Sequence, residues 1–141
     1  MTDTQTMTKA EPAKVLGGVV AYLNVDGAIK AAEFYVKALG AEIVGQHPPD
    51  ENGKTMHVHL YINGSSVMLS DFYPDYGYPV VKQQGFSVML PVEDIDFWWD
   101  RAVKAGMTIT TPLQVMFWGD RYGALKDPFG IDWSMNAPVD K

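Results

Sequence analysis

The 141-residue chain contains no cysteine. A disulfide framework, a thiolate nucleophile, a cysteine-ligated zinc and an iron–sulfur cluster are therefore excluded. Long apolar runs are also missing: the longest reach about 5 to 7 residues, whereas roughly 20 are needed to cross a bilayer as a helix. Positive charge is scarce. Against 17 acidic residues stand 11 basic ones, for a net charge of −6, and no Lys/Arg cluster interrupts the balance. Nucleic acid, whose binding is dominated by phosphate neutralisation, is a poor partner for such a chain. The stretch MTDTQTMTKAEPA, residues 1–13, lacks the apolar centre of a secretion signal. It is expected to be a disordered tail on a cytoplasmic, membrane-free protein. Neither a Gly-x-Ser-x-Gly elbow nor a phosphate-cradling glycine loop occurs, and Gly17-Gly18 opens a strand rather than a helix.

What is present is a globular balance, with 47% hydrophobic and 20% charged residues. Its length suits one domain, expected over residues 14–137. Val15 to Val25 reads as a strand, and Asp26 as the N-cap of a helix over about residues 27–39. Ala28, Ala32, Tyr35 and Leu39 form its apolar stripe, with Ala31 at the edge, and Gly40 ends it. A short strand near Glu42–Gln46 and a turn through Pro48, Asp50 and Gly53 lead to an alternating strand from Thr55 to Ile62. Asn63-Gly64 is a hairpin signal, and Ser66 to Ser70 returns. Residues 71–84 lose periodicity but hold Phe72, Tyr73, Tyr76 and Tyr78 among prolines and Gly77, so a lid, a dimer contact or plain surface packing is open to them.

The pattern then restarts. Phe86 to Val92 is a strand, Asp94 a second N-cap, and Ile95, Trp98, Trp99, Ala102 and Ala105 an amphipathic stripe ended by Gly106. Met107–Thr111 and Val115–Lys126 are extended, Asp127-Pro128-Phe129-Gly130 is a turn, and Ile131–Met135 is the last strand. Leu23-Asn24-Val25-Asp26 recurs as Leu90-Pro91-Val92-Glu93, and Lys37-Ala38 recurs at the same offset as Lys104-Ala105. The fold class expected is α+β: two βαβββ modules, about 14–71 and 85–136, each a curved mixed sheet.

Residues 15–136 resemble the glyoxalase/bleomycin-resistance/dioxygenase (vicinal oxygen chelate) superfamily. Within it they resemble the PhnB-like group, labelled demethylubiquinone-methyltransferase-like. The resemblance is carried by Tyr22-Leu23-Asn24-Val25, Ala32-Glu33-Phe34-Tyr35, Ala38-Leu39-Gly40-Ala41-Glu42, His57-Val58-His59-Leu60 and Val67-Met68-Leu69-Ser70-Asp71. It continues in Phe117-Trp118-Gly119-Asp120-Arg121-Tyr122-Gly123 and Asp127-Pro128-Phe129-Gly130. It implies the paired-module fold and, in the metalloenzymes of the family, one metal ligand on the first and one on the last strand of each module. Those positions fall here on Val20, Met68, Ser87 and Ser134. Valine has no donor, thioether prefers soft ions and neutral hydroxyls are weak, so no metal and no other cofactor is expected at that place. Ile131 stands where the PhnB-like group usually has histidine, so no role of that histidine transfers. A methyltransferase has no physical support, because no glycine loop opens a helix.

Two sets of side chains remain as candidates. His57 and His59 share a strand face. They read as half a metal site needing His47, Asp71 or Asp120 to converge, as metal-free bases, or as hydrogen-bonded structural histidines. Trp118, Arg121 and Tyr122 read either as a pocket wall, with Arg121 forking to an anionic group, or as an Asp120–Arg121 pair pinning a loop around a core Trp118. With Tyr73 these are the candidate ligand-binding residues. The expected function is binding of a small aromatic or cationic molecule, as in the family's resistance proteins, by a homodimer. The alternative is a lyase, isomerase or dioxygenase using a divalent metal at His57 and His59.

Overall fold

A computed structural model describes residues 12–139; the expected disordered tail falls almost wholly outside them. The described chain divides into two compact units that part between Val80 and Val81, except that Lys37–Leu39 at the end of the first helix groups with the second. In the first, β1 (Ala21–Val25) leads to α1 (Ala28–Leu39), then β2 (Glu42–Gln46), β3 (Val58–Ile62) and β4 (Ser65–Asp71). In the second, β5 (Val88–Pro91) leads to α2 (Ile95–Ala105), then β6 (Thr108–Val115), β7 (Asp120–Lys126) and β8 (Asp132–Pro138). The sheet orders are β1-β4-β3-β2 and β5-β8-β7-β6, so both units carry one topology. In each, the first strand runs parallel to the last, and the other pairings are antiparallel. The internal repeat in the sequence is a repeat of structure.

Alternation sets the two faces of the first sheet. Leu23 and Val25 of β1, Val58, Leu60 and Ile62 of β3, and Val67 and Leu69 of β4 are buried. α1 supplies the matching apolar stripe, with Ala28, Ala31, Ala32, Tyr35 and Leu39 fully buried. Fully burying one of the larger side chains among these contributes roughly 1.5–3 kcal/mol. The opposite face keeps the polar alternates Tyr22, Asn24, His59, Tyr61, Ser66 and Ser70, with Met68 among them.

Several boundaries differ from the sequence reading. The first strand begins at Ala21 rather than Val15, because Gly17 takes φ 104° and the chain bends at Gly17–Val19. The residue before α1 is Gly27, not Asp26, and no side chain of its own caps the helix. Asp94 does cap α2, accepting from the Phe97 N–H at 3.4 Å. On its stripe Ile95, Trp99 and Ala102 are buried, while Trp98 is only half-buried. β6 runs on to Val115, so the aromatic segment at Phe117–Trp118 is a hairpin tip rather than a strand. Phe117 is 95% exposed. Asn63 and Gly64 adopt φ 51° and 84°, as their hairpin turn requires.

Candidate functional site

The open face of the first sheet carries a row of aromatic and imidazole rings. β3 places His59 beside Met68 of β4, and Met68 beside Tyr22 of β1. The His57 and His59 rings lie 6.5 Å apart, and His57 is 6.1 Å from the Tyr22 ring and 6.4 Å from His47. The Tyr22 hydroxyl donates to the Met56 carbonyl oxygen at 3.1 Å and lies 3.3 Å from His57 Nδ1. His59, buried to 5% exposure, shares a hydrogen bond with Ser66 Oγ at 2.7 Å. Burial holds both imidazoles below their ordinary pKa, and at His57 the neighbouring His47 and His59 add to it. A neutral ring is the stable form at pH 7. The Tyr22 phenol is pushed up, by burial first and then by Tyr78, so it keeps its proton.

Beside this row lies a cavity of about 370 Å³. Tyr22, Asn24 and Ser70 form its sheet wall, and Tyr73, Tyr76 and Tyr78 come from the segment after β4. That segment is ordered by a single 3₁₀ turn, Pro74–Tyr76, closed by Gly77 at φ 91°, and by a bridge between Tyr73 and Tyr78. The proline at its start and the glycine at its end suit a one-turn helix. The Tyr73 and Tyr76 rings sit 5.9 Å apart, and the Lys54 ammonium lies 4.5 Å from the centre of the Tyr73 ring. Burial, then Asp50, Asp71 and Tyr76, raise the Tyr73 phenol. No Lys or Arg lines the cavity.

The sequence-predicted residues divide accordingly. Tyr73 is a cavity residue, and His57 and His59 stand in one ring row whose nearer member bonds the cavity's Tyr22. Trp118, Arg121 and Tyr122 belong to the second unit. Trp118 is half exposed at the hairpin tip, packed edge-on against Phe117 and Tyr122 rather than filling a core. Arg121 does not pair with Asp120. Its two terminal nitrogens donate to the two oxygens of Asp96 on α2, at 3.0 and 2.9 Å, while Asp120 accepts from Asn136. Register explains the swap: Arg121 lies beside buried Ala137 and so faces α2, whereas Asp120 points the other way. The fork expected for a ligand is thus already filled.

At the positions implied for a metal, Met68 offers a thioether and Val20 nothing. The hydroxyls of Ser87 and Ser134 lie 3.3 Å apart, bonded to one another. That donor set does not fit a divalent first-row cation. Of the suggested partners of the two histidines, His47 stands in the same ring row, 6.4 Å from His57, whereas Asp120 accepts from Asn136 in the second unit and Asp71 is committed to backbone. Asp71 spends its carboxylate on the backbone N–H groups of Gly27, Ala28 and Thr55. Among the described residues no three His, Asp or Glu side chains come together as an ion would need. Ile131 is fully buried and its N–H is held by Asp127, so the position is one of packing here. Sequence reasoning missed Tyr22, Asn24 and Ser70 as cavity residues. The polar alternates of β1 and β4 were the signal that could have found them.

With this geometry in view, the comparisons place the chain. The model of the glyoxalase/bleomycin resistance protein/dioxygenase superfamily matches residues 16–135. The chain is 42% identical over 131 residues to the uncharacterized protein Rv0887c of Mycobacterium tuberculosis, covering 84% of this chain and 72% of that protein. It is similar in structure to protein PA1353 of Pseudomonas aeruginosa, with TM-score 0.71 and 28% identity over 86% of this chain and 98% of that one. The PhnB protein of Bacillus cereus shares the fold, with TM-score 0.65 and 22% identity over 86% and 99% of the two chains. By fold, repeat and sequence, the chain belongs to the glyoxalase/bleomycin resistance protein/dioxygenase superfamily.

Proposed function

We propose that the first module binds a small, planar, neutral or cationic molecule between tyrosine rings, without a metal ion. The observation that carries this reading is the cavity of about 370 Å³ edged by four tyrosines and by no basic side chain. Its volume falls in the range of small-molecule sites. Tyrosine faces stack on flat ligands and attract cations, and the Tyr73 ring already has an ammonium above it in Lys54. The net charge of −6 works in the same direction. The residues lining this cavity include the Asp71 carboxylate and no Lys or Arg, which disfavours an anionic ligand.

The test is a thermal-shift screen with planar compounds matched in size and differing in charge. A ligand that binds only the folded state at 100 times its dissociation constant adds about 2.7 kcal/mol of stability. Neutral or cationic members should raise the midpoint, anionic members should not, and Tyr76→Ala should clearly reduce the shift. One equivalent of transition metal retained through dialysis, and lost in His57→Ala, would replace this reading with a metal-dependent enzyme.

A further inference from the structure

We propose that the solvent side of α2 carries a second ligand site, which holds the phosphate group of a small aliphatic phosphate monoester on Lys37, Arg101 and Lys104. It shares no residue with the tyrosine cavity and does not depend on what that cavity binds. Phe97, Asp100, Arg101, Lys104 and Ala105 lie on one face of α2, at spacings of three and four residues. With Lys37 they line a pocket of about 440 Å³. All of them fall in the second unit, with which the end of α1 groups.

The internal repeat accounts for the two lysines. Lys37-Ala38 recurs as Lys104-Ala105, and each lysine stands in the last turn of its helix, where a cation complements the negative helix end. At the end of α2 the Ala102 and Val103 carbonyls are already engaged by the N–H groups of Met107 and Gly106. Arg101 has no such explanation. Its guanidinium carbon sits 4.8 Å from the centre of the Phe97 ring and 4.6 Å from that of Trp98, so two rings fix the planar group. Its Nε is buried without a hydrogen-bond partner, and among the described residues the guanidinium meets no carboxylate. The cations of β7 differ, since Arg121 holds Asp96 and Lys126 holds Asp132. Burial lowers the Arg101 pKa from its ordinary value, the mark of a charge stripped of water. A guanidinium nevertheless stays protonated at neutral pH. A positioned, partly dehydrated cation without a counter-charge is what an incoming anion completes.

Charge selects the ligand class. Lys37, Arg101 and Lys104 against Asp100 leave a local excess of two positive charges, on a chain whose net charge is −6. A phosphate monoester carries about −1.5 to −2 at pH 7 and matches that excess. Its oxygens also fit the guanidinium fork. A flat monocarboxylate brings one charge only, and the Phe97 ring it would stack on is engaged with Arg101. The pocket's volume suits a small molecule rather than a polymer.

The experiment titrates the intact chain into glycerol 2-phosphate at physiological salt and follows the phosphorus NMR signal. The wild type should bind with a dissociation constant of about 1 mM or tighter. Arg101→Gln should weaken binding by about tenfold or more. That variant also loses the ring contacts, so the decisive protein is the double variant Lys37→Gln, Lys104→Gln. Both lysines are exposed, and the double variant should keep the wild-type unfolding midpoint while losing about tenfold in affinity. Asp100→Asn, which removes the one negative group, should tighten binding by about threefold. Lys126→Gln removes a positive charge that does not line the pocket and should bind as the wild type does. Inorganic phosphate should compete, whereas benzoate and succinate at the same concentration should not. No binding by the wild type, or wild-type affinity in the double lysine variant, overturns the site. A loss in Lys126→Gln as large as in the double variant overturns it too, because binding would then follow overall charge. Competition by succinate as strong as that by phosphate overturns the choice of a phosphate group.

Discussion

Asp71, the last residue of β4, caps α1 from outside the helix. Its Oδ1 accepts from the N–H groups of Gly27 at 2.8 Å and Ala28 at 3.2 Å, and its Oδ2 from Thr55 at 2.9 Å. One buried carboxylate thus joins the start of the helix, the entry to β3 and the end of β4. Asp71→Ala would leave three backbone donors without that acceptor, two of them in buried residues. A loss of about 3 kcal/mol follows from the cost of unpaired buried donors and a missing cap. Urea denaturation measures it, and a loss under about 1 kcal/mol would contradict the capping role.

Gly123 makes a steric prediction in the second module. It sits on the α2 side of β7, where an added Cβ would fall 2.5 Å from the Trp99 ring and 3.1 Å from the Leu113 backbone. Its φ is not positive, so only space demands glycine here. Gly123→Ala should therefore cost about 1–3 kcal/mol, the usual penalty of overpacking. Trp99 emission should shift as the indole is displaced. An unchanged midpoint with unchanged emission would mean that the ring has room to move.

The two modules were legible because their punctuation is local chemistry. Asn63-Gly64 can take positive φ at both turn positions, Asp94 can cap its own helix, and the spacing of Ile95, Trp99 and Ala102 marks a buried stripe. What stayed hidden depends on partners distant in sequence. Asp26 looked like the cap of α1, yet the cap is Asp71, supplied by the parallel pairing of β1 with β4. Arg121 read either as a fork for an anionic ligand or as the partner of its neighbour Asp120; strand alternation sends Asp120 to the opposite face, and Arg121 holds Asp96. The tyrosines of the 71–84 segment were visible as aromatic excess. That they meet Tyr22 over one cavity follows only from the fold.

The histidine row predicts an acid-sensitive stability. An unfolded imidazole begins to bind its proton near pH 6.5, whereas His57 and His59 are held below that value in the fold. Below about pH 6.5 the unfolded chain therefore carries more protons than the folded one, and stability falls with pH. The stabilising contribution is complete above this pH and is lost on acidification through the depressed folded values. The urea midpoint of the wild type should drop between pH 7.5 and 5.5, before ordinary carboxylates titrate. In the His57→Gln, His59→Gln variant the same interval should be flatter. Equal slopes in the two proteins would show that the imidazoles are not the titrating groups.

Tyr76 separates ligand binding from folding. Its side chain is 67% exposed, and it lines the cavity beside Tyr73. Removing an exposed ring changes stability by no more than about 0.5 kcal/mol. Losing one stacking or cation–π face weakens a planar ligand by roughly 1–2 kcal/mol, or about 5–30-fold in dissociation constant. Tyr76→Ala should show both results together, and Tyr76→Phe, which keeps the ring, should bind within about twofold of wild type by the same reasoning. Trp118→Ala serves as the control, since Trp118 lies at the β6–β7 hairpin tip and is not among the residues lining this cavity. Fluorescence titration of a planar cation against the four proteins reads the outcome. If Trp118→Ala weakens binding as much as Tyr76→Ala does, the tyrosine cavity is not where the ligand sits.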